Sequence, residues 1–298
     1  MRTTIGMVLA AGMLAWAGGT EAGAAETVAA GAPPRDFRIV TSFYPIYIHT
    51  LNVAGGIPGV TVANLTEPIT GCLHDYQIKS GEMVALSRAD VFVVNGLGME
   101  AFLERVVRQQ PKLKVIEASA GIAIIRDATE DNPHVWVAVN GAIRQVENIA
   151  AGLAAADPAH AARYRANAAA YVAKLQALSQ RMHAALDHLP RRDIITMHEA
   201  FPYFAREFDL RIMAVVEREP GSEPNAGELA DTIRLIRKAG IMAVFAEPQY
   251  PDKIAQAIAR ETNAVVYTLD PGVTGPPRPD AYLMIMERNL DVLKQALK

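Results

Sequence analysis

Cysteine is almost absent from this chain of 298 residues, in which Cys72 is the only one. A disulfide within the chain is therefore impossible, and a zinc site built from several cysteines is excluded. An excess of positive charge is also missing, because the formal net charge is -3 at pH 7. Binding to the phosphates of nucleic acids requires a basic surface, so this charge balance argues against a nucleic-acid partner.

Apolar runs long enough to span a membrane are missing too, and the one short run lies at the N-terminus. Residues 5–18 form this run, Arg2 precedes it, and small residues at 22–24 offer a cleavage site. This order predicts a signal peptide over residues 1–25, since the run is too short and too rich in glycine for a membrane anchor. No cysteine lies near the cleavage site, so we expect a periplasmic mature protein with neither lipid anchor nor membrane insertion. Residues 26–36 are expected to form a disordered tail.

Proline and glycine are missing between Pro158 and Pro190. Uninterrupted, alanine-rich sequence of this kind predicts one long helix over residues 157–190, with Asp157 as its N-cap. At 1.5 Å per residue, its length would be on the order of 45 Å, which suits a strut between two lobes. Its apolar stripe consists of Tyr164, Tyr171, Leu175, Leu178, Met182, Leu186 and Leu189.

The chain on either side of the long helix alternates between strand patterns and helix patterns. Strands are predicted at 37–42, 60–65, 91–94 and 113–117 before the helix, and at 193–197, 211–216, 241–245 and 264–269 after it. This alternation predicts an α/β fold with two lobes, each a mainly parallel four-stranded sheet flanked by helices, joined by one long backbone helix. We place the N-terminal lobe at 37–156 and the C-terminal lobe at 191–298.

One helix of the second lobe is marked at both ends by its sequence. Asn225 is a good N-cap, and Glu228 stands three residues later, where the acid of a capping box belongs. Gly240 follows the last periodic residue and predicts the end of the helix.

Three of the seven histidines, His74, His134 and His198, lie in loops that follow predicted strands. Ligands of open parallel sheets bind beyond the carboxyl ends of the strands, and neutral imidazole is the commonest metal ligand. Three imidazoles and one carboxylate would form a tetrahedral site for a cation such as Zn²⁺. Asp270, at the end of another strand, is the candidate fourth ligand, and Glu247 is its rival. Spacing alone leaves three unrelated loop histidines as an equal alternative.

The remaining donors have simpler interpretations. Cys72 lies two residues before His74 and could bind a soft metal, but a single cysteine is more often a small buried residue. His49, in the first predicted helix, is interpreted as a partly buried histidine rather than a ligand. The histidines of the long helix are interpreted as solvated positions.

Eight short motifs resemble those of a known family. They are Thr41–Pro45 (TSFYP), Gly71–Gln77 (GCLHDYQ), Leu86–Gly98 (LSRADVFVVNGLG), Asn132–Trp136 (NPHVW), Met197–Phe201 (MHEAF), Glu219–Leu229 (EPGSEPNAGEL), Phe245–Gln249 (FAEPQ) and Thr268–Pro271 (TLDP). Through them, the chain resembles the solute-binding proteins of bacterial ABC importers for zinc and manganese, the cluster A-I family. The resemblance implies two α/β lobes joined by one rigid helix, and delivery of the bound ion to a membrane permease. Its implied metal ligands are His74, His134, His198 and Asp270.

Position 198 discriminates within that family. Members that resemble zinc carriers have histidine there, and manganese members usually have glutamate, so His198 implies Zn²⁺ as the cargo and Mn²⁺ as the alternative. Many zinc members carry a histidine-rich loop between the first two ligands, but residues 109–131 contain no histidine. We expect a monomeric binding protein without catalytic residues. A zinc-dependent hydrolase with Glu199 as base is the less favoured alternative, which requires that Asp270 leave a coordination position open.

Overall fold

The structure, a computed structural model, describes residues 36–73, 76–126, 131–217 and 224–298. The predicted signal peptide lies outside the described residues, and so do His74 and all but the last residue of the predicted tail. The described residues all belong to one unit, Arg35–Lys298. Within these four ranges, no helix is both long and apolar enough to cross a membrane.

A four-stranded parallel sheet forms the first half of the fold. Its strands are β1 (Phe37–Thr41), β2 (Val60–Asn64), β3 (Val91–Val94) and β4 (Lys114–Glu117), in the order β2-β1-β3-β4. Three helices accompany them: α1 (Tyr44–Ala54), α2 (Ser80–Ser87) and α3 (Glu104–Arg108). Strands β1 and β3 are buried over consecutive residues, as expected for central parallel strands that are covered on both faces.

The second half repeats this arrangement. Strands β5 (Asp193–Thr196), β6 (Arg211–Val215), β7 (Ala243–Ala246) and β8 (Val265–Thr268) pair in parallel in the order β6-β5-β7-β8. Its helices are α6 (Pro202–Glu207), α7 (Ala226–Ala239), α8 (Lys253–Glu261) and α9 (Ala281–Ala296). Helices α4 (Val139–Ala156) and α5 (Ala161–Leu186) precede them in the chain and connect the two sheets. The predicted fold class is therefore confirmed, and all eight strands agree with their predicted positions to within about two residues.

Two helices connect the sheets, and only the second was predicted. Helix α4 (Val139–Ala156) is an addition to the sequence-based prediction, and it packs along α5 (Ala161–Leu186). The predicted apolar stripe is confirmed, because six of its seven residues are buried on α5. Asp157 occupies the predicted N-cap position, before a 3-10 turn at Pro158–His160 that leads into α5, but its side chain makes no capping hydrogen bond. Its Oδ2 instead accepts a bond from the Tyr164 hydroxyl at 2.8 Å. Because α4 ends at Ala156, Asp157 is both the residue after α4 and the residue before this turn.

Helix α5 contacts elements of both halves, since it packs against α1 of the first half and against α9 of the second. With 26 residues it is roughly 39 Å long. One continuous apolar core contains buried residues of both sheets and of this helix. The prediction of a long joining helix is confirmed, whereas the boundaries of the two lobes stay a prediction.

Candidate metal site

The site begins at the centre of the second sheet. Strand β5 ends at Thr196, and His198 follows two residues later; the neighbouring strand β7 ends at Ala246, directly before Glu247. Because these two strands lie at the point where the strand order reverses, their carboxyl ends open onto the crevice in which such sheets bind ligands. His198 is 3 % exposed and Glu247 4 % exposed. The His198 Nδ1 atom lies 3.5 Å from Glu247 Oε1.

His134 reaches the same place from the first half of the chain. It precedes a short 3-10 turn at Val135–Val137 and is 2 % exposed. Its ring and that of His198 are 5.1 Å apart between centroids and almost perpendicular, at 89°. Two buried imidazoles that are 64 residues apart in sequence therefore lie side by side.

Asn132 holds His134 in one orientation. Its side-chain oxygen accepts a hydrogen bond from the backbone N–H of His134 at 3.0 Å and lies 3.1 Å from Nδ1 of the same residue. An amide oxygen can only accept, so Nδ1 carries the proton and Nε2 is left as the donor for a metal. The Asn132 amide nitrogen donates to the carbonyl oxygen of Glu199 at 2.9 Å, which connects the loops of His134 and His198.

Cys72 completes a group of three metal-ligating side chains. Its Sγ atom lies 3.9 Å from His134 Nε2. Cys72, His134 and His198 each offer one donor atom, and these three atoms lie within 4.8 Å of one another. Among the described residues, these side chains form the group that could hold a metal ion. Burial raises the pKa of the Cys72 thiol, and the negative charge of Glu247 raises it further.

Asp270, the predicted fourth ligand, makes its contacts with other residues. Its Oδ1 accepts hydrogen bonds from the Gly272 backbone N–H at 2.8 Å and from the Gln249 amide at 3.2 Å. Arg288 lies 4.0 Å from the other carboxylate oxygen. Burial raises the pKa of Asp270, and the two hydrogen bonds and Arg288 oppose that rise. Among the described residues, Asp270 does not belong to the group whose donor atoms lie within 4.8 Å of one another.

Glu247 is a buried carboxylate in an unusual setting. Neither of its oxygens has a hydrogen-bond partner in the described part of the chain. A buried charge without hydrogen bonds is costly unless an opposite charge compensates it. A cation bound beside His198 would supply that compensation, so the surroundings of Glu247 fit a site for a positive ion.

Aromatic side chains cover the first-half side of the group. The fully buried indole of Trp136 lies 5.2 Å from the His134 ring, and Phe43 packs edge-on against it at 5.0 Å. The indole N–H donates to the Pro271 carbonyl oxygen at 2.9 Å, and so connects the His134 loop to the loop of Asp270. The buried rings make the surroundings of His134 apolar, and electrostatic attraction to a cation is stronger in such surroundings.

The structure thus brings together His134 and His198, places Asp270 in the adjoining loop, and leaves His74 outside the residues it describes. Prediction from sequence missed Asn132 and Gln249, and it ranked Cys72 below the histidines. The available signal for Cys72 was its position in the same motif as His74.

A family model covers most of the chain. The model is ZnuA, described as zinc-uptake complex component A, periplasmic, and it matches residues 39–296.

Individual proteins agree with that match. A zinc-binding lipoprotein, AdcA of Streptococcus pneumoniae, is 29 % identical over 280 residues, which are 86 % of this chain and 55 % of AdcA. The chain therefore spans about half the length of that curated relative. The high-affinity zinc uptake system protein of Bacillus subtilis is 28 % identical over 283 residues, or 87 % of each chain. Among solved structures, the solute-binding protein FpvC of Pseudomonas aeruginosa, in complex with Mn²⁺, matches with a TM-score of 0.80 at 31 % identity. The match covers 88 % of this chain and 98 % of the FpvC chain.

Proposed function

The chain belongs to the ZnuA family of periplasmic zinc-uptake components, and from this membership and the geometry of its site we propose that it captures Zn²⁺ outside the cytoplasm and delivers it to an ABC permease for import. The observation that carries the proposal is the meeting of His134 and His198, buried and 5.1 Å apart, from opposite halves of the chain. The ligands that we propose are these two residues with His74 and Asp270.

Zinc fits this donor set better than manganese does. Imidazole nitrogens suit Zn²⁺, whereas Mn²⁺ prefers carboxylate, carbonyl and water oxygens, and affinity for a given nitrogen site rises from manganese towards zinc. Manganese stays the second candidate, because FpvC was solved with Mn²⁺. The carboxylates of Asp270 and Glu247 would together balance the two positive charges of either ion.

The family supports a carrier rather than an enzyme, since its members are components of an uptake complex. Release of the ion would then need a change of shape instead of a reaction. Contacts of α5 with both α1 and α9 oppose large bending, so we infer that docking on the permease displaces one loop or lobe by a small distance. The Asn132 bond to the Glu199 carbonyl is one contact that such a displacement would break.

Metal analysis of the exported, mature protein tests the proposal. We expect about one zinc per wild-type chain, and little or none in His134→Ala and His198→Ala. His183→Ala is the matched control, because His183 lies on α5, is 36 % exposed at its side chain, and pairs with Asp187. Equal zinc content in all four proteins, or none in the wild type, would contradict the proposed function. The predicted monomer is tested in the same samples by their mass in solution.

A further inference from the structure

The distances around Cys72 match those between ligands that share one ion. Tetrahedral Zn²⁺ with Zn–S near 2.3 Å and Zn–N near 2.05 Å separates sulfur and nitrogen by about 3.6 Å. The Cys72 Sγ and His134 Nε2 atoms are 3.9 Å apart, and a donor of His198 lies within 4.8 Å of both. Contraction by a few tenths of an ångström would bring Cys72 and His134 into a shared first coordination sphere.

A second observation points to a cation at the same place. Glu247 is 4 % exposed, its oxygens have no hydrogen-bond partners in the described ranges, and Oε1 is 3.5 Å from His198 Nδ1. The site therefore holds two buried imidazoles, a thiol and a buried carboxylate without hydrogen-bond partners in the described ranges. A positive ion among these groups satisfies all of them at once.

We propose that the Cys72 thiolate is a direct ligand of the carried ion, together with His134 and His198. This inference rests on the proposed function, and it puts a sulfur donor in the place of one of the other two ligands proposed there. As the sulfur–metal bond forms, the thiol releases its proton to solvent, and no electron is transferred. Coordination by Cys72 leaves the remaining position to one of the other proposed donors.

A sulfur ligand would change what the site accepts. Thiolate is a soft donor that selects zinc and similar ions, and it suits manganese poorly. In this chain, the discrimination against Mn²⁺ would then come from Cys72 as well as from the imidazole of His198.

Cobalt substitution of the whole mature protein tests the proposal. Co²⁺ accepts tetrahedral nitrogen and sulfur ligands, and a bound thiolate produces an intense sulfur-to-cobalt charge-transfer band in the near ultraviolet. Because Cys72 is the only cysteine, any such band in the wild type comes from this residue. We expect the band in the wild type, its disappearance on displacement by Zn²⁺, and its absence in Cys72→Ser and Cys72→Ala.

Affinities provide the second measurement. Partners that only orient a ligand contribute about 10- to 100-fold to metal affinity, so loss of a direct ligand should weaken Zn²⁺ binding at least about tenfold in Cys72→Ser. Binding of Mn²⁺ should change much less. A wild type that binds Co²⁺ tightly without the band overturns the role of Cys72 and leaves the proposed function intact. A wild type that binds neither Co²⁺ nor Zn²⁺ overturns both proposals.

Discussion

The side-chain amide of Asn132 donates a hydrogen bond to the carbonyl oxygen of Glu199 at 2.9 Å, across 67 residues of sequence. The same side chain accepts the backbone N–H of His134 and faces its Nδ1 atom. One residue therefore orients an imidazole and connects its loop to the residue that follows His198. Outer partners of this kind fix the tautomer of a metal-binding histidine.

Asn132→Ala should weaken zinc binding about 10- to 100-fold, because the His134 ring would lose the partner that orients it. Competition with a chromophoric chelator at pH 7 measures the affinity. Asn148→Ala is the control, since the Asn148 amide donates to the carbonyl oxygens of Ala118 and Ala120 and, among the described residues, has no bond to His134 or His198. Equal affinities of the two variants would show that Asn132 does not position the ligand.

His198→Glu should shift metal preference towards manganese. A carboxylate in place of an imidazole hardens the donor set, so the ratio of Mn²⁺ to Zn²⁺ affinity should rise at least about tenfold. Calorimetric titration with each ion measures this ratio. His183→Glu introduces the same charge at a partly exposed position of α5 and should leave the ratio unchanged. An unaltered preference in His198→Glu would remove the reason for choosing zinc.

Asp270 and Glu247 are both candidates for the acidic ligand, and replacing each by its neutral amide shows which of them binds the ion. If Asp270 binds the ion, Asp270→Asn should lower zinc affinity by at least about tenfold, or about 1.4 kcal/mol. Glu247→Gln should lower it less, since a charge beside the site acts at longer range than a ligand. The reverse order would identify Glu247 as the ligand and leave Asp270 in the loop held by Gly272 and Gln249.

Zinc affinity should fall steeply as the pH is lowered from about 7 to 5. Metal and proton compete for the same imidazole nitrogens, so each ligand histidine adds to the slope. Chelator competition at several pH values measures this slope, and His134→Ala should reduce it where residual binding can be followed. Affinity that is constant over this range would contradict a site built on histidines.

His49 should make the metal-free protein sensitive to acid. It is completely buried between Tyr171 and Tyr282, and neither ring nitrogen has a hydrogen-bond partner in the described residues. Burial lowers the pKa of His49 from 6.5 to about 3. The unfolded chain therefore binds a proton that the folded chain does not, and stability present above pH 6.5 is lost as the pH falls towards 3.

Urea unfolding of metal-free protein between pH 7 and pH 4 measures this effect. One histidine contributes a slope of at most about 1.4 kcal/mol per pH unit to the free energy of unfolding. His49→Phe keeps an aromatic ring against both tyrosines and should lose that part of the slope. His188→Phe, whose parent residue is exposed, is the control. If the free energy of unfolding depended on pH equally in the wild type and in His49→Phe, His49 would not be the source of the acid sensitivity.

Local features of the fold were predictable because their causes are local. Asn225 accepts hydrogen bonds from the backbone of Gly227 and Glu228, the capping box is present, and Gly240 ends the helix in the left-handed conformation. Helix α4 could have been found in the same way, since its buried residues include Val146, Ile149, Ala150 and Leu153 at helical spacing.

The sequence by itself determined the alternation of strands and helices, the long joining helix and the presence of imidazoles in loops after strands. Those properties depend on residue types a few positions apart. Only the tertiary structure decided that Cys72 lies beside His134 and that Glu247 is buried against His198, whereas Asp270 is held by its own loop. These relationships depend on how two sheets and their connecting helices pack, and residues 62 positions apart in the chain carry no local record of a distance of 3.9 Å.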